Sequence, residues 1–323
     1  MRAIVYDKYG PPDVLELKEI DQPTVKDDDV LVRVRAASLN PYDWHFMTGL
    51  PYVARLSFGL LKPKVKGLGA DLAGTVAAVG KNVTRFRPGD EVFGEVATGA
   101  LAEYVCAPQD TTVLKPANLT FEEAAAVSMG ALTALQGLRD HGRIDSGQQV
   151  LINGASGGVG TFAVQIAKSF GADVTGVCST RNVDLVRSIG ADRVVDYTRE
   201  DFTQRGRCFD LMFDNVGNRS LSECRSVLKP RGIYLASFGQ PENLWLGPTA
   251  RLLKMMVLAP FVSQKLMTFV AAPKAQDLLL MKELLEAGKV TPVIDRTYRL
   301  SEVPDAMRYL AEGHAQGKVV ITV

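Results

Sequence analysis

Four cysteines in 323 residues, Cys106, Cys178, Cys208 and Cys224, stand far apart and form no C-x-x-C pair. Such spacing offers no disulfide framework, and three of them lie in apolar, strand-like surroundings where a reduced, buried thiol is expected. Reduced thiols suit the cytoplasm, the expected compartment. An excess of one charge is missing as well: 37 Lys and Arg against 36 Asp and Glu leave a formal net charge of +1. That balance gives no general attraction to nucleic acid or anionic membrane. Long apolar runs are absent too. The most apolar stretch, Leu244 to Val262, is interrupted by Pro248, Arg251, Lys254 and Pro260, whereas a membrane span wants about 20 largely uninterrupted apolar residues. The opening Met1-Arg-Ala-Ile-Val-Tyr6 has strand character instead of a basic leader and apolar core, so no export signal is expected. Internal repeats and low-complexity segments are lacking.

What remains is a globular chain, 46% hydrophobic and 23% charged, long enough for two domains. The first hundred or so residues are β-rich. Val30-Leu-Val-Arg-Val-Arg35 predicts a strand with one wet face. Asp71 to Gly80 predicts another, with Gly74 at a bulge or a close backbone approach. Short strands split by Gly and Pro turns suggest a small barrel. The texture changes near Pro116, where Thr120-Phe-Glu-Glu123 is a capping box opening an Ala-rich helical region. Strand and helix then alternate from Gln149 to Ser237, as in a parallel sheet covered on both faces. The final strand, Lys318 to Val323, is equally able to join that sheet or return to the first domain.

The strand Val150-Leu-Ile152 runs into Asn153-Gly-Ala-Ser-Gly-Gly-Val-Gly160 and then an amphipathic helix. In a dinucleotide fingerprint such glycines allow a tight turn, approach of backbone to the pyrophosphate, and close helix–strand packing. The helix N-terminus faces the phosphates with free N–H groups. Ala155, Gly157 and Gly160 hold the three key positions, and Ser156, Gly158 and Val159 complete the turn. An NAD site usually carries an acid about 20 residues on, at the end of the second strand. This chain has Val177-Cys-Ser-Thr-Arg181 there instead. Ser179 and Thr180 offer hydroxyls, Arg181 suits a 2′-phosphate, and Tyr197 could close the same pocket, so NADPH is the expected cofactor. A solvated helix-start residue is the plainer account of Arg181.

With these residues in view, the chain resembles the medium-chain dehydrogenase/reductases, specifically the zinc-independent, quinone oxidoreductase-like branch. The resemblance spans nearly the whole length. It rests on Ser38-Leu-Asn-Pro-Tyr-Asp43, Gly69-Ala-Asp-Leu-Ala-Gly74, Arg87-Pro-Gly-Asp-Glu-Val92, the glycine turn, Gly190-Ala-Asp192 before Val195-Asp-Tyr197, and Gly317-Lys-Val-Val320. It implies an α/β fold: a Rossmann doubly wound parallel sheet plus a GroES-like β-barrel catalytic domain. The implied division is 1–118 catalytic, 119–287 NADPH-binding and 288–323 returning to the catalytic domain. Zinc-dependent relatives carry a Cys near Asn40, a Gly-His-Glu at Gly69-Ala-Asp71, and a four-Cys lobe. Those ligands are missing here, so no metal is expected.

Without zinc to acidify a hydroxyl, the accessible chemistry is hydride delivery to an acceptor already electrophilic: a quinone, an enone or an enal. Charge developing on the acceptor oxygen needs pre-positioned donors in a dry pocket. The resemblance implies that the segment Asn40 to Tyr52 lines this pocket. Asn40 would hold acceptor or nicotinamide ribose, and Tyr42, His45 and Tyr52 are candidate donors. Plainer roles stay open: Asn40 as a helix cap, Asp43 as a structural acceptor, His45 as a core or rim residue, Thr133 as an ordinary helix residue. The resemblance implies that Thr133 lies near the nicotinamide and that Lys318 belongs to the cofactor site. Asn215, Val216 and Phe238 follow later strands at the carboxyl ends where open sheets bind ligand. Leu244 to Val270 is rich in Leu, Met and Phe, and reads as a lid for a lipophilic acceptor, a homodimer interface, core, or a membrane-surface contact. A protein that binds NADPH as a scaffold or sensor with little turnover is the alternative function. The short-chain dehydrogenase class is disfavoured, because the chain has no Tyr-x-x-x-Lys.

Overall fold

The computed structural model describes residues 1–237 and 249–323. It divides into two compact units. The first comprises Met1–Met129, Ala272–Gly288 and Pro292–Val323; the second comprises Gly130–Ala271 and Lys289–Thr291.

The first unit opens with β1 (Arg2–Val5) and β2 (Glu16–Glu19), an antiparallel pair. Then come β3 (Asp29–Leu39), β4 (Asp71–Val79), β5 (Glu91–Glu95), β6 (Tyr104–Pro108) and β7 (Thr112–Leu114). In β3, Val30, Val32 and Val34 are buried while Arg33 and Arg35 face water, the period-2 pattern of a half-wet strand. From Ala36 onward every residue of β3 is buried, so this end of the strand is where polar groups must be paired. Gly74 on β4 faces Val34 on β3, and a Cβ there would overlap the Arg33 carbonyl. The pairing shifts register next to it, so a close approach and a bulge coincide.

The second unit supplies β8 (Gln149–Asn153), β9 (Asp173–Cys178), β10 (Arg193–Asp196), β11 (Phe209–Asp214), β12 (Leu228–Ala236) and β13 (Lys265–Thr268). All pair in parallel, in the order β10-β9-β8-β11-β12-β13. That is the doubly wound order, with the chain reversing direction across the sheet at β8. Strands buried on both faces need near-continuous apolar runs, which Val150-Leu-Ile152 and Leu211-Met-Phe213 provide. The helix Gly160–Ser169 packs on this sheet with Phe162, Ala163, Ile166 and Ala167 fully buried. The described part of the apolar stretch 244–270 is regular: a helix at Thr249–Leu258, a short turn at Ala259–Phe261, and β13.

The chain then returns to the first unit as β14 (Ile294–Arg299) and β15 (Lys318–Thr322). β15 pairs antiparallel with β3, which resolves the open question of the last strand. The sheet runs β14-β15-β3-β4-β5-β7, with β6 also on β3. The short helix Phe121–Ala125 packs on β3 and β4, and the helix Ala275–Glu286 on β7. Both therefore belong to the first unit, which differs from the division expected at residues 118 and 287. Among the described residues, no helix is long and apolar enough to cross a membrane.

Candidate active site

Two polar constellations stand out, one in each unit. In the first, register fixes the arrangement. Val320 faces Ser38, Ser38 faces Asp71, and Asp71 faces Glu95 across four neighbouring strands. Directly opposed residues in antiparallel pairs point to the same face, so Ser38, Asp71 and Glu95 form one row. Asp71 is fully buried. Its Oδ2 accepts from Ser38 Oγ (2.8 Å), Asn40 Nδ2 (3.0 Å) and Lys318 Nζ (3.0 Å), and its Oδ1 from the Met129 N–H (2.9 Å). Lys318 Nζ also donates to Asn40 Oδ1. Asn40 thus has both ends of its amide assigned, donating to the anion and accepting from the cation.

Asn40 sits at the N-cap of the helix Pro41–Thr48, yet its amide does not cap it. The capping work falls to Asp43, whose carboxylate accepts from the Asn40 N–H (2.8 Å) and the Gly69 N–H (2.9 Å). Burial pushes the Asp43 carboxyl up to about 6, against those two hydrogen bonds, which hold it down. Tyr42 OH donates to the Ala97 carbonyl (3.1 Å), and burial raises that phenol to about 12. His45 Nδ1 lies 2.7 Å from the Leu50 carbonyl. Tyr52 lies in a short turn with its ring under the Arg55 guanidinium at 4.8 Å. Asn40, Asp71 and Lys318 are therefore one buried cluster, with Tyr42 and Asp43 on the adjoining helix. Lys318, expected at the cofactor, makes its hydrogen bonds inside this cluster.

In the second unit the glycine turn is built as the fingerprint requires. Gly154 adopts a left-handed φ of 81°, and its N–H and that of Ala155 reach the Val177 carbonyl at 3.2 and 3.0 Å. A Cβ on Gly160 would overlap the Gly154 carbonyl, so glycine is required for the helix to start against the turn. At Gly157 a Cβ would meet only the Gly154 carbonyl, at 3.5 Å, which leaves the backbone open to a ligand. Ser156, Gly158 and Val159 are half-buried along the turn, while Ala155 is buried beneath it. Thr133 lies one helical turn beyond Gly130, whose Cβ position is 2.9 Å from the Gly158 carbonyl.

Asn182 ties the turn to the end of β9: its Nδ2 donates to Ser156 Oγ (2.8 Å) and is 3.3 Å from Ser179 Oγ. Arg181 is exposed in the same short turn. Thr180 Oγ1 donates to Asp196 Oδ2 (2.5 Å) and lies 2.8 Å from Thr198 Oγ1. That Thr180 hydrogen bond, with two more from Thr198, holds the Asp196 carboxyl below its ordinary range. Tyr197 is half-exposed, its N–H on the Cys178 carbonyl.

Asp214 organises the loop after β11. Its Oδ1 accepts from Asn153 Nδ2, the Gly217 N–H and the Val216 N–H at 2.8, 2.9 and 3.2 Å. Its Oδ2 accepts from Tyr234 OH (2.7 Å) and Arg251 (3.3 Å). That holds Asn215 and Val216 beside the turn, with Val216 against Gly154. The Asn215 and Asn182 Oδ1 atoms are buried with no partner among the described residues. Unpartnered acceptors beside an open glycine turn fit a nucleotide with hydroxyl and amide donors. Phe238 lies outside the described residues.

Sequence reasoning missed Asp71, Asn182, Asp196, Asp214, Tyr234 and Arg251. An aspartate closing an apolar strand, as in Leu211-Met-Phe-Asp214, was the available signal for one of them.

Comparison with known proteins decides the family. Residues 26–117 match the alcohol dehydrogenase GroES-like domain, and 189–321 match the zinc-binding dehydrogenase model. The 2-methylene-furan-3-one reductase of Solanum lycopersicum is 36% identical, covering 99% of this chain and 79% of its own. The chain belongs to the medium-chain dehydrogenase/reductases, on their quinone oxidoreductase-like branch. The quinone oxidoreductase structure from Coxiella burnetii superimposes with a TM-score of 0.88 at 32% identity, covering 100% of this chain and 99% of that one. The Escherichia coli quinone oxidoreductase complexed with NADPH gives 0.86 at 25% identity, with both chains fully covered. The fold is thus a GroES-like domain with a Rossmann domain. Among the described residues, no group of three His, Cys, Asp or Glu side chains is placed to hold a metal ion.

Proposed function

We propose that this protein is an NADPH-dependent reductase that passes hydride to a quinone or an α,β-unsaturated carbonyl compound. The observation that carries the cofactor assignment is the end of β9. Ser179, Thr180 and Arg181 stand where an NAD site would present an acid, with Ser179 and Ser156 tied to Asn182. NADPH supplies the hydride. The chain's own residues do the rest: Gly154 to Gly160 present backbone N–H groups, Arg181 pairs with the 2′-phosphate, and Asn215 accepts from the cofactor. Asn40 and Tyr42 orient the acceptor. Relatives named for quinone and enone reduction support that acceptor class.

Homodimerisation and a cytoplasmic location complete the reading. Exposed Leu253, Met256, Val257 and Phe261 supply apolar surface for a second copy, and the four cysteines carry free thiols. Purified protein mixed with NADPH or NADH and a panel of quinones, enones and enals tests the function. Falling absorbance at 340 nm with NADPH supports it; NADPH binding without any oxidation would replace it with the scaffold reading. Light scattering tests the dimer.

A further inference from the structure

The row Ser38–Asp71–Glu95 ends on a carboxyl group whose situation differs from its neighbours'. Three acids meet one cation here: Asp43, Asp71 and Glu95 around Lys318. Asp71 is saturated with four donors and Asp43 accepts two backbone N–H groups, so both are structural anions. Glu95 accepts no hydrogen bond through its side chain among the described residues, and it is half-buried. Its backbone is fixed, since its strand pairs with Asp71 and its carbonyl accepts from Thr111 Oγ1 at 2.6 Å. The carboxyl therefore sits on a rigid element, beside the acceptor-orienting Asn40 and Tyr42, with open lone pairs and one side toward solvent. Asp71 and Asp43 are each held by several donors, whereas the Glu95 carboxyl keeps its lone pairs open to a proton in transit.

We propose that Glu95 is the proton donor of the reductase reaction. The proposal rests on the reductase reading given above. The acceptor's β-carbon gains the hydride that NADPH gives up on becoming NADP⁺, and the C=C electrons move onto the α-carbon and carbonyl oxygen. The α-carbon then forms a C–H bond with the Glu95 proton as the Glu95 O–H bond breaks. For a quinone the same proton goes to the oxyanion. The Glu95 carboxylate recovers its proton from water. Burial, then the charges of Asp71 and Asp43, push this carboxyl up to about 8, while Lys318 pulls the other way. Tyr42 is coupled to it as well: burial, then the charges of Asp43 and Glu95, raise that phenol. Glu95 is thus largely protonated at neutral pH and can be recharged there, as a general acid requires.

The test is kinetic and spectroscopic. In the wild type, kcat with an enone should fall as pH rises through about 8, because only the protonated form donates. Glu95→Gln should lower kcat by about 100-fold and abolish that limb, and Glu95→Asp should restore part of the rate with the limb retained. NADPH affinity, read by fluorescence without acceptor, should stay within about twofold, since Glu95 lies outside the nucleotide turn. Infrared difference spectra of the protein alone should show a carboxyl titrating near 8 that E95Q removes. A flat wild-type profile under chemistry-limited conditions, or an E95Q enzyme with unchanged kcat and profile, overturns the proposal and leaves the reductase reading intact. A wild type that oxidises no NADPH with any acceptor overturns both.

Discussion

Lys318→Met is the most incisive perturbation of the first unit. The substitution keeps the length of the buried stem and removes only the ammonium. Asp71 is then left fully buried, with Ser38, Asn40 and the Met129 N–H still donating but no cation at 3.0 Å. Removing one partner of a buried pair is destabilising by about 3–5 kcal/mol, because the remaining charge has lost its compensation. Three surviving hydrogen bonds place the expectation near the lower end, about 3 kcal/mol. For a unit of this size that is a fall in Tm of about 6–12 °C. Urea unfolding followed by circular dichroism measures it directly. Asp71→Asn/Lys318→Met should be more stable than Lys318→Met alone, because the orphaned charge has gone. The reasoning fails if K318M unfolds within about 1 kcal/mol of wild type, or if the double variant is worse than the single.

Four further expectations follow from the nucleotide turn and from Glu95. Gly160→Ala forces a methyl into the Gly154 carbonyl and should weaken NADPH binding by about 10-fold or more. Gly157→Ala should fold normally but bind poorly, and fluorescence titration beside circular dichroism separates the two. Arg181→Ala should raise the KM for NADPH by about 10–100-fold and leave that for NADH nearly unchanged, read from steady-state rates with both cofactors. Glu95 holds its proton more tightly in the folded chain than in the unfolded one, so its contribution to stability falls as pH rises from about 4.5 to about 8. E95Q should therefore match wild type at pH near 4 and exceed it by about 1–3 kcal/mol at pH near 9, discounted for solvent access. Parallel denaturation curves at the two values check the sign.

The parallel sheet was legible because its strands are apolar on both faces and its helices amphipathic, so period and punctuation agree. β13 was not, since Lys265-Leu-Met-Thr268 lies within a longer apolar run that hides its ends. The glycine turn was readable residue by residue, because its physics is local. The buried cluster was only half readable. Asn40 and Lys318 were each singled out, but their pairing depends on β15 choosing β3, a contact across 278 residues that periodicity cannot see. Glu95 carried no signal at all. In Glu91-Val-Phe-Gly-Glu95 it looks like any wet-face residue, and only the cross-strand register sets it opposite Asp71.

The partnership of Asn40 with Lys318 also bears on how the chain is made. Those 278 residues take about 14–56 s to synthesise at about 5–20 residues per second. Throughout that interval β3, joined by β4 once Asp71–Val79 is made, exists without the strand that brings their counter-cation. The Rossmann strands are completed first, since β13 ends at Thr268. The nascent chain therefore reaches a stage at which its parallel sheet is finished while the buried Asp71 cluster of the first unit still awaits a residue from the far end.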